Sequence, residues 1–252
     1  MDERDHDLTR REFVAATGSA VGMAMAPGLL PGATNAGGPP SGTVVLFQGD
    51  SITDCGRDRT AVGPNSAGAL GTGYPLLIAA QHLAARPEAG FRFFNRGVSG
   101  NTVPDLDARW QADTLDLHPD VLSVLIGVND LWHKINGQYA GTVDQYEAGY
   151  AALLERTRRA LPDVRLVVLE PFVLRTAAVE AVHDHWFPEF DQRRAVAARV
   201  AAGAGATFVP LHAMFERLSA QAPPAYWSAD GVHPSVAGHG AIVQQWMQGV
   251  SL

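Results

Sequence analysis

Ser51 stands in Gly49-Asp50-Ser51-Ile52, directly after the apolar run Thr43-Val44-Val45-Leu46-Phe47. A hydroxyl at a strand exit is held by backbone geometry and faces solvent, which a nucleophile requires. Gly-Asp-Ser is also ordinary turn chemistry, and such serines commonly cap helices. The tetrapeptide therefore gains meaning only with a base, an orienting group and oxyanion donors. Asp230 and His233 provide the first two. Three residues apart on a loop leading into a helix, they let the carboxylate accept from one imidazole nitrogen while the other faces Ser51. Pro234 suits the first helical position and would fix where His233 sits.

Acyl transfer builds an oxyanion, and losing one donor to it costs roughly 2.7–4 kcal/mol. Three donors are available: the backbone N–H of Ser51, the backbone N–H of Gly100 and the side-chain amide of Asn129. Glycine at position 100 lets the backbone approach a substrate and take positive φ. Asn129 offers an NH₂ that needs no protonation.

These residues must be brought together by the elements around them. β-rich runs at Val44–Phe47, Phe91–Phe94, Val121–Ile126, Arg165–Leu169 and Thr207–Leu211 alternate with helical patterns. The helical patterns cover Tyr74–Ala85, Val103–Leu117, Val143–Leu161, Phe187–Ala202 and Ser235–Met247. Such alternation predicts a parallel sheet with helices on both faces. Right-handed crossovers then gather the strands' C-terminal ends on one edge. Ser51, the Ser99-Gly100-Asn101 loop and Gly127-Val128-Asn129-Asp130 follow the first three strands, and Asp230-Gly231-Val232-His233 precedes the last helix. Convergence of four distant segments at one rim is the signature of an active site.

Gly49-Asp50-Ser51, Ser99-Gly100-Asn101-Thr102, Gly127-Val128-Asn129-Asp130 and Asp230-x-x-His233 together resemble the four blocks of the SGNH, or GDSL, hydrolases, in that family's order. The resemblance runs from about Val44 to the C-terminus. It implies a three-layer α/β/α flavodoxin-like fold with a five-stranded parallel sheet, and an ester hydrolase needing no metal or other cofactor. It further implies Ser51 as nucleophile, His233 as base, Asp230 as orienter, and Ser51, Gly100 and Asn129 as the oxyanion hole. Finer stretches resemble the acetylxylan esterase branch of carbohydrate deacetylases: Asp50-Ser51-Ile52-Thr53-Asp54-Cys55-Gly56-Arg57, Gly100-Asn101-Thr102-Val103 with Ala108-Arg109-Trp110, Asn129-Asp130-Leu131-Trp132 and His233-Pro234-Ser235-Val236-Ala237-Gly238-His239. Two places depart from that branch. His183-Asp184-His185-Trp186-Phe187-Pro188 is unlike it, and Ser228 and Ala229 separate Trp227 from Asp230 where related enzymes place the aromatic directly before the acid. The expected substrate is an acetylated carbohydrate such as xylan. A lipase, thioesterase or other short-chain acyl esterase is the alternative, and an inactive carbohydrate-binding surface protein a more distant one. Trp132 and Trp227, near the rim, are the aromatics expected to meet a sugar face.

The 252 residues, 46% hydrophobic, suffice for one sizeable core. A net charge of -7 without a basic stripe excludes a nucleic-acid partner. Residues 1–36 read as a twin-arginine targeting segment, with Arg10-Arg11, an apolar stretch from Val14 to Leu30 and small residues at Ala33-Thr34-Asn35-Ala36. Residues 37–42 read as a linker and 43–252 as the hydrolase domain. A secreted protein without stable membrane association is expected after cleavage; oligomeric state is left open. Cys55, the single cysteine, has no intrachain disulfide partner and reads as a small packed side chain. His183-Asp184-His185 lacks a third committed metal ligand, and Gly68-x-x-Gly71-x-Gly73 reads as a turn before a helix, not a nucleotide loop.

Overall fold

The computed structural model describes residues 42–252. The targeting segment, and the linker apart from Gly42, lie outside the described residues. Five strands, β1 Val44–Gly49, β2 Arg92–Asn95, β3 Val121–Leu125, β4 Arg165–Leu169 and β5 Thr207–Val209, pair in the order β2-β1-β3-β4-β5. Every neighbouring pair is parallel. The flavodoxin-like order is thus present as expected, and it places a crevice where the winding reverses, between β1 and β3.

Among the described residues, twelve helices connect and cover the strands. They are α1 Ser51–Asp54, α2 Ala67–Leu70, α3 Tyr74–Ala85, α4 Val103–Asp113, α5 Val128–Ile135, α6 Val143–Ala160, α7 Ala177–Glu180, α8 His183–Trp186, α9 Glu189–Gly203, α10 His212–Ser219, α11 Pro224–Trp227 and α12 Val236–Gly249. Side chains alternate across each strand, and the sequence exploits both faces. Val45, Phe47, Val121, Leu125, Val167 and Leu169 pack with α3, α10 and α12, whereas Val44, Leu46, Leu122, Val124, Leu166 and Val168 pack with α4, α6 and α9. Burial on both faces explains why the strands read as continuous apolar runs. One fully buried tryptophan fastens each layer. Trp110 Nε1 donates to Thr157 Oγ1 at 2.9 Å between α4 and α6, and Trp246 Nε1 donates to Ser123 Oγ at 3.1 Å, joining α12 to β3.

Several boundaries differ from expectation for local reasons. The helix from Val103 stops at Asp113, and a 3₁₀ turn, Leu115–Leu117, completes the predicted span. The helix expected from Phe187 starts at Glu189, with Pro188 at its cap. Pro234 is not the first residue of the last helix: Ser235 takes the cap, its Oγ accepting from the Gly238 N–H at 3.2 Å, and Val236 begins the helix. What fixes His233 is instead the bonding of Asp230.

Candidate active site

The β1 strand ends at Gly49, and Asp50 turns the chain into α1, its Oδ1 accepting the Ile52 N–H at 3.0 Å. Ser51 is therefore the first residue of a single helical turn, half-buried at the sheet's C-terminal edge. Its Oγ lies 2.8 Å from His233 Nε2, and His233 Nδ1 lies 2.7 Å from Asp230 Oδ2. A hydroxyl, an imidazole and a carboxylate thus form one hydrogen-bonded row, assembled from opposite ends of the described chain.

The Asp230 segment organises itself. Oδ1 of Asp230 accepts from the Val232 N–H (2.9 Å), the His233 N–H (2.8 Å) and the Ser228 hydroxyl (3.2 Å), leaving Oδ2 for the ring. Partial burial pushes the Asp230 pKa up, but the bonds from the His233 side chain and from the two backbone N–H groups outweigh it and hold it below the ordinary aspartate value. The carboxylate consequently persists as the medium acidifies. It can fix the imidazole's tautomer and stabilise its protonated form. Asp230 and His233 are exposed, at 47% and 44% of their side-chain surfaces, so the row lies at the rim and not in a closed cavity.

The three donor segments face the same rim. Gly100 adopts φ +85°, and the Ser51 and Gly100 N–H groups donate to no acceptor among the described residues. Asn129 follows Gly127, whose φ of +130° and proximity to Tyr146 admit no side chain: a Cβ there would lie 2.6 Å from Tyr146 Oη. The Asn129 amide donates to the Asn101 carbonyl at 3.1 Å, which links β3's exit to the Gly100 loop. Together the groups can accept a carbonyl substrate: a nucleophilic oxygen with its base on one side, and N–H donors for the developing oxyanion around it.

Trp132, on α5, packs against His233 with ring centroids 5.9 Å apart and rests on Trp186 at 5.8 Å. Trp227 is placed differently. Its indole N–H donates to the Leu218 and Ala222 carbonyls, both at 3.2 Å, and its ring packs onto the core beneath α10 and α12. Cys55 ends α1 half-buried, with Sγ 3.4 Å from both Thr72 Oγ1 and His239 Nε2. In the His183-Asp184-His185 segment, His183 meets Arg175 and Asp184 through its two ring nitrogens. No cluster of three or more metal-ligating side chains occurs among the described residues.

Several residues beneath the rim escaped the sequence reading. Asp54 Oδ2 accepts from the Ser99 N–H (2.9 Å) and hydroxyl (2.8 Å) and pairs with Arg59, anchoring the Gly100 loop to α1. Asp130, fully buried, accepts the first N–H of α4, from Val103, at 3.1 Å. Burial pushes its carboxyl up to about 6, against the Val103 bonds and the charge of Arg193. Burial likewise pushes Asp50 up to about 7, opposed by the Ile52 N–H and by His233. The two acids sit inside the Gly-Asp-Ser and Asn-Asp blocks, so their positions were visible. Their burial was not, because it follows from the β1–β3 crevice.

A chain with this fold and this row of side chains belongs to the GDSL-like lipase/acylhydrolase family, whose model matches residues 47–241. It is a carboxylic ester hydrolase. Among relatives, it is 36% identical over 212 residues to an acetylxylan esterase of Geobacillus stearothermophilus, covering 82% of this chain and 94% of that one. The crystal structure of Axe2, an acetylxylan esterase from the same organism, superposes with a TM-score of 0.74 at 35% identity, over 85% of this chain and 96% of the other. A candidate GDSL-like lipase from Parabacteroides merdae ATCC 43184 gives 0.79 at 44% identity, over 82% and 94%. Structures of Axe2 include catalytic mutants in which a serine, an aspartate or a histidine is replaced by alanine.

Proposed function

We propose that the protein is an exported serine esterase that removes O-acetyl groups from carbohydrate, with Ser51, His233 and Asp230 as its triad. The observation that carries this reading is the row from Ser51 Oγ through His233 to Asp230, at 2.8 and 2.7 Å. Ser51 Oγ attacks the acetyl carbonyl carbon as His233 Nε2 takes its proton. The oxyanion is received by the N–H groups of Ser51 and Gly100 and the amide of Asn129. Nε2 then returns the proton to the departing sugar oxygen, leaving an acetyl-enzyme. Water, deprotonated by the same nitrogen, releases acetate and restores Ser51. Trp132, beside His233, offers its face to the sugar ring that leaves.

Similarity to an acetylxylan esterase over most of both chains supports acetyl as the acyl group and a xylan-type carbohydrate as the leaving group. Similarity to a candidate GDSL-like lipase supports the second reading, a lipase, thioesterase or other short-chain acyl esterase of the same fold. Acetate release from acetylated xylo-oligosaccharide, compared with turnover of butyryl and octanoyl esters, separates the two; preference for octanoyl would end the deacetylase reading. Ser51→Ala should abolish acetate release and fluorophosphonate labelling alike, and substantial residual turnover would remove Ser51 as nucleophile. Export rests on Arg10-Arg11 and the apolar stretch behind them. Replacing both arginines by lysine should retain the enzyme inside the cell, and undiminished secretion would discard the twin-arginine route.

A further inference from the structure

Arg109 lies on α4, and its guanidinium spends its donors on the machinery around Ser51. Nε donates to Asn101 Oδ1 at 2.8 Å, Nη1 to the Arg96 carbonyl at 2.7 Å and to Asp113 Oδ2 at 2.9 Å, and Nη2 to the Gly49 carbonyl at 3.3 Å. Three of these acceptors, on Asn101, Arg96 and Gly49, belong to segments around the site, whereas Asp113 lies one turn further along α4 and forms only an i,i+4 ion pair. Gly49 closes β1 two residues before Ser51, and its carbonyl also accepts the Val98 N–H at 3.0 Å. Arg96 follows β2 and leads into the Gly100 loop. Asn101 adjoins Gly100, and its own carbonyl receives the Asn129 amide. One planar cation therefore ties the Gly49–Ser51 turn to the Gly100–Asn101 loop, and that loop in turn receives the Asn129 amide.

We propose that Arg109 is a positioning residue for acyl transfer, its guanidinium setting the separation of the Gly49–Ser51 turn and the Gly100–Asn101 loop so that their N–H groups converge on one oxyanion. The proposal rests on the reading of Ser51, Gly100 and Asn129 given above. Arginine suits the task because its donors diverge in a fixed plane and reach three acceptors in three directions; a lysine ammonium is a point charge on a flexible stem. Only 18% of the side chain is exposed, so water does not readily replace these bonds. Convergent donors stabilise an oxyanion only when held to within a fraction of an ångström. The transition state therefore suffers more than the bound substrate when the tether is cut.

The test uses the purified full chain with p-nitrophenyl acetate and a trifluoromethyl ketone that mimics the tetrahedral intermediate. Arg109→Ala should lower kcat by about 10- to 100-fold, less than or comparable to removal of an oxyanion donor itself, while KM stays within about twofold. Affinity for the ketone should fall by a similar factor, since only that ligand needs the converged donors. Methylguanidine at tens of millimolar should restore part of the kcat of Arg109→Ala and none of it in wild type, and Arg109→Lys should remain impaired. Asp113→Asn, which removes only the outer ion pair, should keep full kcat. A folded Arg109→Ala with kcat within threefold of wild type, or a loss confined to KM, would overturn the proposal. Should that variant fail to fold, Arg109→Lys decides: wild-type kcat and ketone affinity in it would refute the need for a planar fork. Ser51→Ala in the same assay keeps the two readings apart. Residual turnover there defeats the nucleophile assignment, whereas an inactive Ser51→Ala beside an unimpaired Arg109→Ala defeats this inference alone.

Discussion

At Asp230 one carboxylate performs two tasks with two oxygens. Oδ1 gathers two backbone N–H groups and the Ser228 hydroxyl, and Oδ2 faces the imidazole. Asp230→Asn separates those tasks. The amide oxygen keeps the three bonds at Oδ1, so the loop survives, but the NH₂ placed at Oδ2 cannot accept from Nδ1–H. The ring is then driven to the other tautomer, with its proton on Nε2 facing Ser51, and loses its ability to act as a base. We expect kcat to fall by about 10³- to 10⁴-fold, as in the serine protease with the equivalent change, with thermal stability nearly unchanged. A loss of less than tenfold in steady-state kinetics would show that His233 holds its tautomer without Asp230. The sequence offered this pair by its spacing taken together with Ser51, and by the resemblance of Asp230-x-x-His233 to a hydrolase block. It did not display the division of labour, which depends on the chain folding back over Gly231, whose carbonyl accepts the Leu174 N–H at 2.8 Å.

The long elements were legible because each carries its own periodicity. Strands buried on both faces leave unbroken apolar runs, and α3 and α6 were located to within a residue of their observed limits. The short helices around the site were not legible: α1, α7, α8 and α11 are single turns, too brief for a 3.6-residue pattern to repeat. The placing of α5 was missed for a related reason. Its first turn holds Asn129 and Asp130, polar residues that look like a loop until the crevice buries them. Gly127 governs that transition from β3 to α5. In Gly127→Ala the added methyl meets the buried Tyr146 hydroxyl, which itself donates to the Ile126 carbonyl at 3.1 Å. Overpacking of this kind costs roughly 1–3 kcal/mol, and strained positive φ adds about 1–2 kcal/mol. We expect a fall of that order in urea unfolding, with reduced kcat as Asn129 leaves its place. Wild-type values of both would mean that α5 can shift without cost.

Across the whole domain, two acids are buried under the rim where strands of opposite winding part. In water an aspartate titrates near 3.8, whereas Asp130 and Asp50 in the folded protein are pushed up to about 6 and about 7. Folding therefore takes up protons in that interval. Their stabilising contribution is complete below about pH 3.8 and is lost as the pH rises through the two folded values. Asp50→Asn removes one of these titrations. Between about pH 4 and about pH 8 its unfolding free energy, relative to wild type, should shift in its favour by roughly 2–4 kcal/mol. A difference independent of pH would show that Asp50 remains ionised in its buried site. The domain's connectivity has a second effect, in time. Ser51 and His233 are 182 positions apart yet share a 2.8 Å hydrogen bond. A ribosome adding roughly 5–20 residues per second needs on the order of 10–40 s to travel between them. For that interval the nascent chain displays Ser51 without the imidazole proposed as its base. Translation intermediates arrested before Asp230 should leave p-nitrophenyl acetate intact, so that the emerging polypeptide cannot cleave esters until its final segments have docked.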